Sequence, residues 1–374
     1  MPKKAKSIQL IFDDDRKKFY RARDQLSGVV LLQSLGNVAV VNIKVHVFGK
    51  ADTEVTEVCQ DTDGKRQNLV HKAEKVYLDY FQLVCGTDDT RGLSIIPEGE
   101  HRFPFSCNLP ADLPSSLQRH KEKKVTPNAI RYYVHCVVNY SEKKSDNVYK
   151  PFQVQHLLNV DDPVFSVPPS PLIEERTVTS LACIPGDIKL TASIARQAFL
   201  NFEPILINAE IGNFSRRRLT ALEVALIRNE EYNAEGVSNT KSYEIAKIST
   251  GRIAARQTMH WSSEPLPLPD YLTPTLLNCP LIKVNYQLEF TLKIPGAENI
   301  TRKLDIIIGT VTNEIISQLQ INPPQSQAGS RHNSTLSANP DTPPPPYSVL
   351  EPNNLDDQTP SAPEVDSMAA VVIN

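Results

Sequence analysis

The chain has 374 residues, 40 basic against 43 acidic side chains for a formal net charge of −3, and 40% hydrophobic residues. That length and apolar content suffice for two domains of ordinary size plus a tail. A charge so close to balance excludes the basic footprint of a nucleic-acid binder and gives no reason for wholesale adsorption to membranes. The opening Met1-Pro2-Lys3-Lys4-Ala5-Lys6 runs into Ser7-Ile8-Gln9-Leu10 without the apolar stretch of a secretory signal. No apolar run reaches the roughly 18 residues that a membrane-spanning helix needs, so a cytosolic protein is expected. The six cysteines, Cys59, Cys85, Cys107, Cys136, Cys183 and Cys279, form no Cys-x-x-Cys pair and have no histidine at zinc-finger spacing. They read as small apolar core residues in a reducing compartment. The sequons at Asn213, Asn299 and Asn333 are accordingly expected to be idle.

In chain order, period-two alternation begins at residues 41–47 and 76–84 and becomes strict at 130–140. There Ile130, Tyr132, Val134, Cys136, Val138 and Tyr140 share one face, and Arg131, Tyr133, His135, Val137 and Asn139 the other. Residues 160–171 carry clustered prolines that cannot sit in central strands, so they read as an interdomain connection. Alternation resumes at 205–211 and 221–227. It is strict again from Ile282 through Val284, Tyr286, Leu288, Phe290 and Leu292, with Lys283, Asn285, Gln287, Glu289, Thr291 and Lys293 outward. No helical window is comparably strong. Many short strands broken by Gly, Pro and Asn predict an all-β fold of two antiparallel β-sandwiches in tandem. The boundaries expected are 1–165, a proline-rich linker at 166–172, 173–318, and a disordered tail at 319–374. The halves echo each other: Leu113-Pro114 followed by Ile130-Arg131-Tyr132-Tyr133 resembles Leu272 followed by Ile282-Lys283-Val284, a weak internal duplication.

From about Gln318 onward Pro, Ser, Asn, Asp and Thr dominate, a composition that cannot bury enough surface to offset chain entropy. Within it stands Pro343-Pro344-Pro345-Pro346-Tyr347. Consecutive prolines preset the left-handed extended helix that aromatic-lined grooves bind, so little ordering entropy remains to be lost on docking. In such a ligand Pro344 and Pro345 fill one aromatic slot, Pro346 is free, and Tyr347 enters a second pocket with its hydroxyl still able to hydrogen-bond. This is the pattern that WW domains bind. Further on, Pro360-Ser361-Ala362-Pro363 resembles the ligand of the ubiquitin-conjugating-enzyme-variant domain of the ESCRT-I complex.

Three further groups stand out. Arg216-Arg217-Arg218 follows a strand end and could meet anionic headgroups or phosphorylated cargo, although a solvated loop explains it as simply. Lys121, Lys123 and Lys124, with Lys143 and Lys144, are candidate ubiquitin acceptors, because no lysine follows Lys303. For enzyme chemistry the chain offers no Gly-x-Ser-x-Gly, His-Glu-x-x-His, Walker loop or Gly-x-Gly-x-x-Gly turn. His135 and Cys136 are adjacent on an alternating strand, point to opposite faces, and cannot pair as base and nucleophile. No catalytic residue, cofactor or metal site is read.

The stretch Ile96-Pro97-Glu98-Gly99-Glu100-His101-Arg102-Phe103-Pro104-Phe105-Ser106, then Asn108-Leu109-Pro110 and Leu113-Pro114-Ser115-Ser116-Leu117, resembles the N-terminal signature of the α-arrestins. Ile130-Arg131-Tyr132-Tyr133-Val134, Pro185-Gly186-Asp187-Ile188, Ile211-Gly212-Asn213-Phe214-Ser215 and Cys279-Pro280-Leu281-Ile282-Lys283-Val284 continue the match, which spans about residues 8–311. The resemblance implies an arrestin N-like sandwich at 1–165 and a C-like sandwich at 173–318. It also implies an adaptor, without enzymatic activity, that links receptors or transporters to WW-bearing HECT-type ubiquitin ligases. Endocytosis and endosomal sorting follow, with a cytoplasmic protein recruited to plasma membrane and endosomes through its partners and connected to ESCRT-I. Two alternatives stay open: a structural subunit of a retromer-like endosomal coat, and a redox-signalling scaffold. Thioredoxin-binding relatives use a cysteine late in the second domain, and this chain has none between Cys183 and Cys279.

Overall fold

The alternating segments pair into four sheets in a computed structural model of the chain, which describes residues 4–60, 64–87, 92–118, 127–141, 144–179, 184–269 and 272–321. In the first half the strands are β1 (Ser7–Phe12), β2 (Gln25–Ser34), β3 (Val38–Gln60), β4 (Arg66–Gly86), β5 (Ser94–Ile96), β6 (Gly99–Asn108), β7 (Ala129–Tyr140) and β8 (Ser145–Phe152). They form a sheet in the order β1-β2-β6 facing one in the order β4-β3-β7-β8, with β5 on the end of β3. A one-turn helix, α1 (Pro163–Ser166), follows; the second half contains β9 (Leu172–Thr179), β10 (Pro185–Ile194), β11 (Ala198–Leu200), β12 (Ile205–Asn213), β13 (Ala221–Ala234), β14 (Val237–Ser249), β15 (Gln257–Leu266), β16 (Ile282–Lys293) and β17 (Ile300–Gly309). Its sheets run β15-β12-β10-β9 and β11-β17-β16-β13-β14, antiparallel except where β11 meets β17. The helix α2 (Asn313–Ile321) closes the described chain. All of this lies in one compact unit, Met1–Pro323. The all-β expectation holds.

The strict alternations become the central strands of their sheets. On β7 every member of the apolar face, Ile130 through Tyr140, is 4% exposed or less, and each large side chain so buried contributes about 1.5–3 kcal/mol. The same burial removes Cys136 from water and pushes its thiol up to about 12. Packing leaves no slack opposite Tyr132: a Cβ on Gly49 of β3 would sit 2.2 Å from the tyrosine ring, so only glycine fits there.

The internal duplication has a physical form. Tyr132 donates its hydroxyl proton to the carbonyl of Pro114 at 2.8 Å, and Tyr286 does the same to Thr273 at 2.6 Å. In each half an isolated bridge lies two residues before the tyrosine, Ile130 with Leu117 and Val284 with Leu276. Ile130 is therefore equivalent to Val284, two residues beyond the Ile282 matched from sequence; an even shift preserves the faces, which is why the alternation alone did not reveal it.

β4 departs from the alternation expected at 76–84. Only Leu78 is buried there, whereas Val76, Tyr80, Phe81 and Leu83 are 39–63% exposed. β4 is an edge strand, and its exposed Phe81 joins a row of rings running across the sheet: Phe81 stacks on His46 of β3 at 3.8 Å, and the series continues through Phe48 of β3 and Tyr133 of β7 to Tyr149 of β8 and His135 of β7.

The connection between sandwiches is pinned at its start. Leu158 donates its amide to Thr310 Oγ1, Val160 donates to the Val311 carbonyl, and Asn159 donates to Asn313 Oδ1. Gly309 lets the strands approach, since a Cβ there would lie 2.4 Å from Val160. The helix α1, inside the proline-rich connection, is locally encoded by the Asp162 carboxylate, which accepts from the Val164 amide, and by Pro163 at the first helical position.

Candidate functional site

At the end of the second sandwich away from the first, β12 leads into β13 through residues 214–220, and β14 into β15 through 250–256. A buried polar knot ties these two loops. Asn213 is 0% exposed; its Nδ2 donates to the carbonyls of Arg217 and Ala254, both at 2.8 Å, and its Oδ1 accepts from the Ser215 hydroxyl at 2.7 Å. Leu219 and Ile253 exchange backbone hydrogen bonds, and Arg256 donates its amide to the Ser215 carbonyl. A polar side chain with every valence used in a dry site rigidifies its surroundings. It also leaves no carboxamide accessible for glycosylation at Asn213.

The three consecutive arginines divide on this platform. Arg217 turns inward: Nε and Nη2 donate to the Thr179 carbonyl and Nη1 to Pro295 at 2.7 Å, so its guanidinium clamps two neighbouring loop ends. It is a positioning residue and presents no fork to a partner, which corrects its place in the acidic-partner patch read from the sequence. Arg216 and Arg218 are exposed. Arg252 and Arg256, on the adjoining loop, are exposed as well. No side chain of these four has an ion pair or hydrogen bond among the described residues. The second pair was invisible in sequence, because only the Leu219–Ile253 pairing brings the two loops together.

The opposite end of β13 meets the first sandwich. Thr53 of β3, 2% exposed, donates to the Asn233 carbonyl at 2.7 Å. His71 of β4 lies 3.0 Å from carboxylates on both sides, Nε2 to Glu57 of β3 and Nδ1 to Glu235 of the β13–β14 turn. Glu235 first, then Glu57, raises the imidazole pKa above its ordinary value, against burial. Nearby, Lys75, Tyr77, Asp112, Leu113, His156 and Asn278 line a cavity of about 340 Å³.

Lys144 is exposed beside β8. Lys121, Lys123, Lys124 and Lys143 lie outside the described residues, as do Pro344, Pro345 and Tyr347 and the run Pro360, Ser361, Ala362, Pro363. His135 faces outward to Asn147 at 2.8 Å while Cys136 is core, so the two do point apart. Cys107 and Cys279 are buried like Cys136, whereas Cys59 and Cys85 are half-buried and Cys183 lies outside the described residues. Among the described residues no three His, Cys, Asp or Glu side chains gather as a metal site, and no helix is long and apolar enough to cross a membrane.

Residues 8–161 match the N-terminal domain family of arrestin (or S-antigen), and residues 185–313 match the arrestin C-terminal domain. Human arrestin domain-containing protein 4 is 28% identical over 309 residues, which covers 82% of this chain and 72% of that protein. The chain belongs to the α-arrestin family. The mouse arrestin domain-containing protein 4 is 27% identical over 313 residues, with the same coverage. Human thioredoxin-interacting protein is 22% identical over 382 residues, 98% of this chain and 90% of its own. An α-arrestin is an adaptor; the first match spans the strands of the first sandwich from Ile8 onward, the second covers β10 to β17, and most of the proline-rich connection lies with β9 between the two matches.

Proposed function

We propose that this α-arrestin holds transmembrane receptors or transporters beside WW-domain HECT-type ubiquitin ligases. The observation that carries the reading is Pro344-Pro345-Pro346-Tyr347 on a chain whose folded body is an arrestin. Consecutive prolines favour the extended helix that such grooves bind, and Tyr347 would supply the anchoring ring. Tethering cargo and ligase on one chain raises their effective concentration without any chemistry by the adaptor itself. Ubiquitinated cargo then enters endocytosis and endosomal sorting, with Pro360-Ser361-Ala362-Pro363 connecting to ESCRT-I and a cytoplasmic adaptor recruited to plasma membrane and endosomes. Ubiquitin placed on the adaptor falls on the folded body, where Lys121, Lys123, Lys124, Lys143 and Lys144 are the proposed acceptors. The test is co-purification of the full chain with a WW-bearing HECT ligase. Retention by the natural chain, loss with Tyr347→Ala and persistence after replacement of Pro360 and Pro363 support the reading; equal retention by Tyr347→Ala overturns it.

A further inference from the structure

We infer that the cavity where the two sandwiches meet is a binding site for a free α-amino acid with an apolar side chain, held between Lys75 and Asp112. Its volume of about 340 Å³ is walled by both halves of the body: Lys75 and Tyr77 of β4, Asp112 and Leu113 after β6, His156 of the connection and Asn278 before β16. That volume lies at the small end of the range for ligand sites, which are mainly apolar clefts carrying a few placed polar groups. The two charged side chains of the lining do not meet. Lys75 places its Nζ 5.1 Å from the centroid of the Tyr77 ring and has no ion pair among the described residues. Asp112 is exposed and likewise has neither ion pair nor hydrogen bond among them. His156 does not neutralise it, because burial lowers the imidazole pKa, against the Leu113 carbonyl and Asp112 itself, and the ring stays uncharged.

Neighbouring charges on the same hairpin pair directly, Lys50 with Glu74 and Lys72 with Glu54. Opposite charges kept apart on one cavity instead match a guest that carries both, its carboxylate toward Lys75 and its ammonium toward Asp112. The uncharged groups of the wall point to the same chemistry. Asn278 spends Nδ2 on His156 Nδ1 at 3.4 Å. Its Oδ1 has no hydrogen bond, nor has the Tyr77 hydroxyl, which lies beside the weakly polar Cys279 thiol. Both atoms are out of contact with water, an unfavourable state that a guest relieves by drawing the side chains toward its own donors and acceptors. A primary ammonium has N–H groups to give Asn278, and a carboxylate accepts from the phenol. Leu113, 1% exposed, and the Tyr77 ring supply apolar surface for the guest's side chain. A molecule bound there touches both sandwiches and therefore stabilises the body as a unit.

The site is independent of the ligase reading, because no residue of the tail takes part in it. The experiment is a ligand-observed NMR titration of the full chain with L-leucine, alongside 4-methylpentanoate, which lacks the amine, and 3-methylbutylamine, which lacks the carboxylate. Saturable leucine binding in the millimolar range or tighter is expected. Each analogue should bind about tenfold more weakly, since it leaves one charged group unmatched. Lys75→Gln and Asp112→Asn change exposed side chains and should each weaken leucine about fivefold, and K75Q/D112N roughly 25-fold. Leucine should also raise the Tm of the natural chain and leave that of K75Q/D112N unmoved, while melting without leucine monitors folding. No saturable leucine binding, equal binding of the three compounds, or undiminished binding by K75Q/D112N overturns the proposal.

Discussion

Arg217→Ala separates the structural arginine from its neighbours. Removing the guanidinium deletes the donations to Thr179 and Pro295 and unties the loop ends after β9 and β16 from the knot at Asn213. A hydrogen bond from a charged donor is worth about 1.5–3 kcal/mol when protected. Arg217 is half-exposed, and solvent screening reduces that to about 1 kcal/mol for each of the two carbonyls. A loss of about 2 kcal/mol corresponds to a fall in Tm of roughly 4–8 °C in a domain of ordinary size. Arg216→Ala and Arg218→Ala remove only exposed side chains and should stay within about 0.5 kcal/mol of the natural chain. Differential scanning calorimetry of the three single variants decides the matter. Unchanged melting of Arg217→Ala, or an equal fall in all three, would refute the division drawn between clamp and displayed residues.

Three further outcomes are expected. Tyr132→Phe and Tyr286→Phe should each cost about 1 kcal/mol in chemical denaturation, because each deletes the hydrogen bond of a core tyrosine, to the buried Pro114 carbonyl or the part-buried Thr273 carbonyl; a large inequality would break the proposed equivalence of the two halves. The His71 clasp should depend on pH: its folded pKa is raised, so its contribution is full below the unfolded value near ~6.5 and fades as pH rises through the folded one. Hydrogen exchange at residues 233–238, corrected for intrinsic rates, should quicken on alkalinisation, and His71→Gln should remove that extra dependence. Alkylation of the native protein should reach Cys59 and Cys85 before Cys107, Cys136 and Cys279, since burial excludes reagent and raises the Cys107 thiol to about 11; early loss of Cys136 would contradict its place in the core.

What the sequence disclosed follows from how far each signal reaches. β7 and β16 were legible because each has one face in the core, and period-two patterning records that directly. β4 was legible as a strand but not as an exposed one: Val76 and Phe81 look like core residues until the edge position and the stacking on His46 are known. Three adjacent arginines looked alike, and only the carbonyls of Thr179 and Pro295, 38 and 78 residues away, single out Arg217. Arg252 and Arg256 carried no signal, because their neighbours are set by a bridge across the sandwich end. The seam residues His71 and Glu235 are 164 positions apart, beyond any local pattern. The proposed tail ligands are the opposite case, a recognition read wholly from adjacent residues.

The adaptor account stands most directly on one titration: a peptide spanning residues 338–366 against the WW domains of a HECT-type ligase, followed by calorimetry. The account predicts a Kd in the micromolar range, about −8 kcal/mol, and loss of binding with Tyr347→Ala. Failure to bind any WW domain, or equal binding by the alanine peptide, would contradict it.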